Sequence, residues 1–380
     1  MPDVAVVGAG PVGMLLAGEL ARHGLDVTVL ERRPVPGAGT RAIGVHAPVL
    51  AALEPSGRTD ALLAVAKRVP RGEARSDGRR LGTVRFDRLA TRFGFVATLP
   101  QAATEAVLAR DAPDPVRGVE VTAVEPASAS VRIRALRNAD PIEVEAPLVV
   151  VAAGVWGRGL VYRGSGLSAH EYHDRYLMTD AAVQARDDDT TAVVHLDRTG
   201  VLESFPLPGG IRRFVAWDPP GGDPDPGIRT ARLRAALRAR GEEIAADAVE
   251  SATAFGVRRV IAPSLRRGRL FVIGDTAHEV SPIGGQGMNL GLLDAITLAP
   301  LLAEWSRTGV APEPELHRWE QRRVRSARTA ARLAAMNTAL GRPLPPLAHR
   351  VRVAALRGAL SPATGRVFAR AYAMGLDADS

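Results

Sequence analysis

The amino-acid sequence predicts an α/β protein: a domain of parallel strands and helices, a β-sheet inserted into it, and a helical C-terminus. Three observations predict this. An apolar run, a glycine turn, a helix-periodic stretch and a second apolar run fill residues 4–30. Residues 161–261 change to short period-two segments divided by proline and glycine turns. From Asn289 onward apolar residues recur at helical spacing, with breaks at 341–346 and at Ser361-Pro362.

In chain order, Val4-Ala5-Val6-Val7 reads as a strand buried on both faces. Met14, Leu15, Ala17, Gly18 and Leu20 give a helix, and Gly24 stands where its C-cap is expected. Val27-Thr28-Val29-Leu30 is a second strand, which completes a βαβ unit. Residues 41–67 read as mainly helical, 68–95 as short alternating pieces and 102–110 as a helix. Residues 119–135 and 142–152 read as strands, the latter holding the doubly buried Val149-Val150-Val151. Farther on, 191–196, 201–207 and 213–217 alternate; 219–227 is a surface loop and 228–240 a helix. Leu270-Phe271-Val272-Ile273 restores a buried strand. In the helix after Gly287, Pro300 is expected to kink or end it at Ala299.

Composition closes several doors. The 380 residues contain no cysteine, which excludes disulfides, thiolate metal sites, cysteine nucleophiles and iron–sulfur clusters. No signal peptide and no apolar run near the ~20 residues of a membrane span is visible, so a cytoplasmic location is expected. Of the 49 basic residues one is lysine, Lys67. The arginines are scattered without interleaved aromatics, so the +8 charge reads as a solvated surface and GC-rich coding, not a nucleic-acid partner. His170, His173 and Asp174 lack a convincing third metal ligand, and no nucleophile elbow supports Ser/His/Asp catalysis. Arg322, Arg323, Arg325, Arg328 and Arg332 share a helix with Leu316, Trp319, Ala327, Ala331 and Ala334. That helix is expected to pack on the α/β domain, not to lie on a membrane.

Gly8-Ala9-Gly10-Pro11-Val12-Gly13 stands between a strand and a helix, the context that makes a GxGxxG informative. Gly8 permits the tight turn, Gly10 lets a pyrophosphate approach the backbone, and Gly13 lets helix and strand pack closely. The helix N-terminus offers N–H groups and a positive dipole to the phosphates. Glu31 ends the second strand, where a carboxylate accepts both ribose hydroxyls, so NAD or FAD fits better than NADP. A second run, Gly274-Asp275-Thr276-Ala277-His278, leads through Pro282 to Gly284-Gly285-Gln286-Gly287-Met288-Asn289 and another helix N-terminus. There a positive helix end suits the N1–C2=O edge of a reduced flavin.

These two runs resemble the FAD-dependent aromatic hydroxylases of the para-hydroxybenzoate hydroxylase type, including the ubiquinone-biosynthesis hydroxylases. The match to their GxGxxG with trailing Glu, and to their GD-x-A-H-x-x-x-P-x-G-G-Q-G-x-N run, lies at residues 8–31 and 274–289. The resemblance implies a Rossmann-like FAD-binding domain at 1–67, 96–160 and 262–305. It implies a β-sheet substrate domain at 68–95 and 161–261, and a helical segment at 306–380. FAD contacts are implied for Gly8, Gly10, Pro11, Val12, Gly13, Glu31, Arg32, Arg41, Gln101, Val121, Gly274, Asp275, Pro282, Gly285, Gly287, Met288 and Asn289. Pro282 lines the flavin, and Arg213, on a roof strand of the pocket, is the candidate anchor for a polar substrate group. The implied activity is monooxygenation of an aromatic or polyketide-like small molecule in bacterial secondary metabolism. NADH or NADPH serves as reductant and a flavin C4a-hydroperoxide as oxygen donor. One motif departs: where the family has D-G-x-x-S-x-V-R, this chain has Ala153, Gly157 and Leu160 at the Asp, Ser and Arg positions, with Arg158 or Arg163 nearby. The departure favours as alternative a non-redox cyclase or isomerase of the same fold, beside a polyprenyl reductase.

Overall fold

A computed structural model describes residues 1–37, 42–162, 167–183, 189–361 and 364–375. The first βαβ unit forms as the pattern requires: β1 (Val4–Val7), α1 (Pro11–Arg22) and β2 (Val27–Glu31), with Gly24 at φ 84° just past the helix. β1 pairs in parallel with β2 and also with a strand from far along the chain, Leu148–Val151. That strand pairs in parallel with Leu270–Val272, so three well-separated stretches build one sheet. Arg266–Arg267 and Val116–Arg117 complete its edges, giving six strands. All eight residues of the two central strands are buried, as strands covered on both faces must be.

Each face has its own cover. Leu15, Leu16 and Leu20 of α1 pack with Leu290 and Leu293 against Val4, Val6 and Val150. On the other face a three-stranded antiparallel meander, Val119–Pro126, Val131–Arg137 and Asp140–Ala146, covers Ala5, Val7, Val149 and Val151. The stretch expected as one strand over 119–135 is thus a hairpin, turned at 127–130 where Ala127 N donates to Ser130 O.

The second large sheet has eight strands. With β3 (Arg71–Ser76), β4 (Arg79–Arg85), β5 (Ala169–Ala182), β6 (Thr191–Asp197), β7 (Gly200–Pro206), β8 (Ile211–Asp218) and β9 (Thr253–Ile261), its order is His278–Glu279, β9, β5, β8, β7, β6, β3, β4. It is mixed, because β6 and β3 run parallel while its other pairs are antiparallel. Leu177, Leu202 and Phe214 on one face pack with Leu233 and Leu237 of α2 (Pro226–Arg238). Tyr176, Met178, Val201 and Val215 on the other pack with Ile283 and Leu356.

The C-terminal region is helical: α3 (Gly287–Thr308), α4 (Glu313–Leu340), α5 (Pro346–Ala359) and α6 (Gly365–Tyr372). Pro300 does not end α3, which continues to Thr308. The proline is exposed, so the carbonyl its missing N–H leaves unpaired can be hydrated. The actual stop is Gly309, at φ 72°, a break that helical periodicity from Asn289 did not predict. Leu316, Trp319, Ala327, Ala331 and Ala334 of α4 are buried. Trp319 meets Phe271 edge-on, so the basic helix packs on the α/β domain. Among the described residues no helix is long and apolar enough to cross a membrane.

Candidate active site

The glycine turn has one conformation open to it. Gly8 has φ 109°, and a Cβ there would lie 2.6 Å from the carbonyl oxygen of Ala152. A Cβ on Gly13 would lie 2.0 Å from Gly8 O, so helix and turn touch through backbone alone. Gly10 differs: its φ of −78° and ψ of 177° suit any residue, and a Cβ there would meet nothing within 4 Å. Gly10 is also the N-cap of α1, and no side chain caps the helix; Pro11 follows at its start. The result is open space over backbone at a positive helix end.

Glu31 holds this turn from below. Its Oε2 accepts from Ala9 N at 2.7 Å, and Oε1 accepts from Arg33 N and Nε at 2.9 Å each. Burial pushes its pKa up, but the hydrogen bonds from Arg33 and Ala9 outweigh that and keep the carboxyl below its usual range. An ionised acceptor therefore stands at the end of β2. Gln101 Oε1 accepts from Ala42 N at 3.3 Å, and its Nε2 donates to Glu105 at 2.7 Å. Arg32 lies 4.8 Å above the ring of the exposed Trp156. Val121 is half-buried on the meander, against the cluster containing Leu30. Arg41 and Arg163 lie outside the described residues.

The second glycine run is brought against the first. A Cβ on Gly291 would lie 2.7 Å from Val12 Cγ2 and 2.9 Å from Gly274 Cα, so α3 passes α1 in close contact. Gly284 and Gly285 have φ of 107° and 70°, and Gly285 N donates to Pro282 O at 2.9 Å. Pro282 and Gly285 are exposed, and Gly287 and Met288 half-buried, at the start of α3. Asn289, fully buried, clamps the loop: Nδ2 donates to Gly44 O and Gly285 O, and Oδ1 accepts from His46 N. His46 is pushed down to about 4 by burial, so it is neutral, and its buried Nδ1 has no partner among the described residues. α4 and α6 brace the loop from behind. Ser281 and Thr338 share a hydroxyl bond, Gln286 Nε2 donates to Ala371 O, and Tyr372 Oη donates to Asn337 Oδ1.

Beneath this loop lies a group that sequence reasoning missed. Asp294 is fully buried; its Oδ2 accepts from Gly274 N at 3.0 Å and faces His278 Nε2 at 2.6 Å, and its Oδ1 accepts from Arg323 Nε at 2.8 Å. Burial pushes the carboxyl up, but the charges of His278 and Arg323 hold it far below its usual range. His278 thus positions the loop, and Arg323 is a buried ion-pair partner, not part of a solvated basic face. The available signal was one acid in the apolar run Leu292-Leu293-Asp294-Ala295.

The departing motif has a packing reason. A Cβ on Gly157 would lie 2.9 Å from Thr276 and from Val151 Cγ1, while Thr276 Oγ1 donates to Gly154 O. Arg158 ties the same turn to the second loop, donating to Asp275 O and to Glu279. Asp275 is itself exposed, and Ala153 is half-buried at the N-cap of Gly154–Gly157. On the inserted sheet Arg213 is 2% exposed and donates from Nε and Nη2 to the two carboxylate oxygens of Asp180, 2.7 Å each. An anchoring role for it would operate through that pair. Among the described residues no group of three potential ligands could hold a metal; Asp174 instead accepts from Arg342 and Trp217.

The two helix N-termini, the space at Gly10 and the carboxylate of Glu31 fit a flavin adenine dinucleotide. The pyrophosphate would lie on the first N-terminus, the ribose on Glu31 and the ring against the 282–287 loop. A family model describing an FAD binding domain matches residues 1–334. The chain is 34% identical over 358 residues to 6-methylpretetramide 4-monooxygenase of Streptomyces rimosus, covering 89% of this chain and 63% of that protein. It is 30% identical over 334 residues to rifampicin monooxygenase of Rhodococcus hoagii, covering 85% and 68%. The fold superposes on p-nitrophenol 4-monooxygenase from Pseudomonas putida DLL-E4 with a TM-score of 0.85 at 22% identity, covering 98% of each chain.

Proposed function

The chain belongs to the family of FAD binding domains, and from that premise we propose an FAD-dependent monooxygenase acting on an aromatic or polyketide-like small molecule in bacterial secondary metabolism. The carrying observation is the contact of Gly291 with Val12 and Gly274, which brings α3 and its glycine loop against the glycine turn of α1. The curated relatives named above support the substrate class. When bound, FAD would supply two-electron redox chemistry, with NADH or NADPH as donor and dioxygen as oxidant.

The chain's own residues bind, orient and exclude water. Gly10 leaves room for a pyrophosphate, and Glu31 would accept ribose hydroxyls with the lone pairs left beside Ala9 and Arg33. The 282–287 loop, clamped by Asn289, presents backbone at the N-terminus of α3 where negative charge develops on a reduced ring. Ile283 belongs to one apolar cluster with Val201 and Val215 of the sheet, so the loop and the sheet present apolar side chains to the same region. Such a site confines the reaction to a bound substrate.

The test is direct. Protein loaded with FAD is mixed with NADPH or NADH, with and without a polycyclic phenol, and flavin bleaching and 18O incorporation from 18O2 are measured. Bleaching followed by labelled product is expected. A preparation that cannot be loaded with FAD overturns the reading, and one that loads but is never bleached moves it to the non-redox cyclase.

Ala153→Asp restores a carboxylate at the N-cap of a short helical turn, a position where aspartate is well tolerated. Flavin reduction by NADPH is expected to quicken by roughly tenfold, a barrier change of about 1.4 kcal/mol. An unchanged rate would show that the missing carboxylate does not limit reduction.

A further inference from the structure

Glu203 lies in the middle of β7, opposite Val194 on β6 and Val215 on β8. Paired residues share a face of a sheet, and alternation places Val201 on that face too. Val194, Val201 and Val215 all belong to the cluster that includes Ile283 of the cofactor loop. The carboxyl is therefore set in the apolar face turned toward that loop. It is 7% exposed, and it forms no hydrogen bond or ion pair with any described residue.

The ionisable groups around it are accounted for. Tyr176 from β5 and Tyr372 from α6 both feel its charge. Burial first and Glu203 second push Tyr372 up to about 12, so its hydroxyl stays protonated and donates to Asn337. Tyr176 is raised for the same first reason. Farther along β5 stand two ion pairs, Asp174 with Arg342 and Asp180 with Arg213. Glu203 alone among these is a carboxyl without a cation. A buried, unpartnered carboxylate costs several kcal/mol and invites a donor. Burial pushes it up to about 7, so its protonation changes near neutral pH.

We propose that Glu203 is the group that receives the acidic hydrogen of the substrate, a phenol or enol seated between β7 and the 281–287 loop. The inference rests on the monooxygenase reading and names its substrate class. The step is a proton transfer: the substrate O–H bond breaks and its electron pair stays on the substrate oxygen. A new O–H bond forms on Glu203, and nothing is oxidised or reduced. The charge left on oxygen enriches the ring carbons ortho and para to it, where an electrophilic oxygen is accepted. A substrate lacking the hydroxyl leaves the carboxyl unsatisfied, so recognition and activation use one atom.

The test uses FAD-loaded protein without reductant, and reads binding of 1-naphthol and its methyl ether through perturbation of the flavin spectrum. Wild type is expected to prefer 1-naphthol by about tenfold at pH 8. The carboxyl is raised, so it is an acceptor above about 7, and the preference should fall as pH drops below that value. Glu203→Gln should bring the ratio within about twofold and remove its pH dependence, with FAD loading and Tm retained. Failure of wild type to bind 1-naphthol, an equal ratio for phenol and ether, or a preference unchanged in E203Q would each overturn the proposal. Wild type alone decides the first two, so a poorly folding variant does not rescue it. Because no nicotinamide or oxygen is present, failure of the monooxygenase reading appears separately, as absent bleaching or absent 18O product.

Discussion

Gly10→Val is expected to yield a folded protein that has lost its cofactor. A Cβ at this position meets no protein atom within 4 Å, and the backbone there is extended. Apoprotein stability should therefore fall by no more than about 1 kcal/mol, the cost of valine in place of glycine at a helix N-cap. The same open space is where a pyrophosphate must approach the helix N-terminus, and an isopropyl group would fill it. FAD affinity should fall at least ~100-fold, about 2.7 kcal/mol, measured by fluorescence titration of apoprotein. Melting of the wild type should rise with added FAD and that of the variant should not. A variant that binds FAD as wild type does would place the pyrophosphate elsewhere. Gly13→Ala serves as contrast, because its Cβ would lie 2.0 Å from Gly8 O and must disturb the fold itself.

Asp294→Asn should carry the largest stability cost. The substitution leaves Arg323, 1% exposed, without its counter-charge inside the α/β domain. Breaking a buried pair in this way costs about 3–5 kcal/mol, read from urea unfolding of the apoprotein. The same group predicts acid sensitivity. Its folded pKa is depressed, so its contribution is complete above the ordinary carboxylate value of about 3.9 and is lost as pH falls below it. Unfolding curves of wild type and variant between pH 6 and 3 should start to approach one another below about pH 4 without meeting, because the folded carboxyl lies far below that range. Equal stability of the two at pH 7 would show that the network is not coupled to folding.

The contrast between Gly10 and Asp294 explains what was legible in the sequence. Gly8, Gly10 and Gly13 announce themselves because their constraint is local: three glycines at fixed spacing between a strand and a helix. Both cofactor loops could be read for that reason. The partners of Asp294 could not, since His278 and Arg323 come from a loop and from a different helix, and only packing joins them. Alternation marked residues 201–207 as a strand, yet which side of it meets the cofactor loop follows from registers with β6 and β8. Glu203 therefore looked like any residue of a roof strand. Pro300 shows the reverse error: a local rule was overridden because the proline faces solvent. The parallel pairing of β6 with β3, more than a hundred residues apart in the chain, has no local signature at all.

The contact of Gly291 with Val12 also orders events in time. Val12 belongs to α1, and its neighbour is supplied only when α3 has been translated. At about 5–20 residues per second that delay is roughly 15–60 s. For about the first half of it β1 lacks its partner at Leu148–Val151, and for most of the rest Leu270–Val272 is missing from the same sheet. The stretch carrying β1 and α1 thus waits for α3. Cofactor capture must await the synthesis of α3, and until then the stretch before it is what a chaperone would meet.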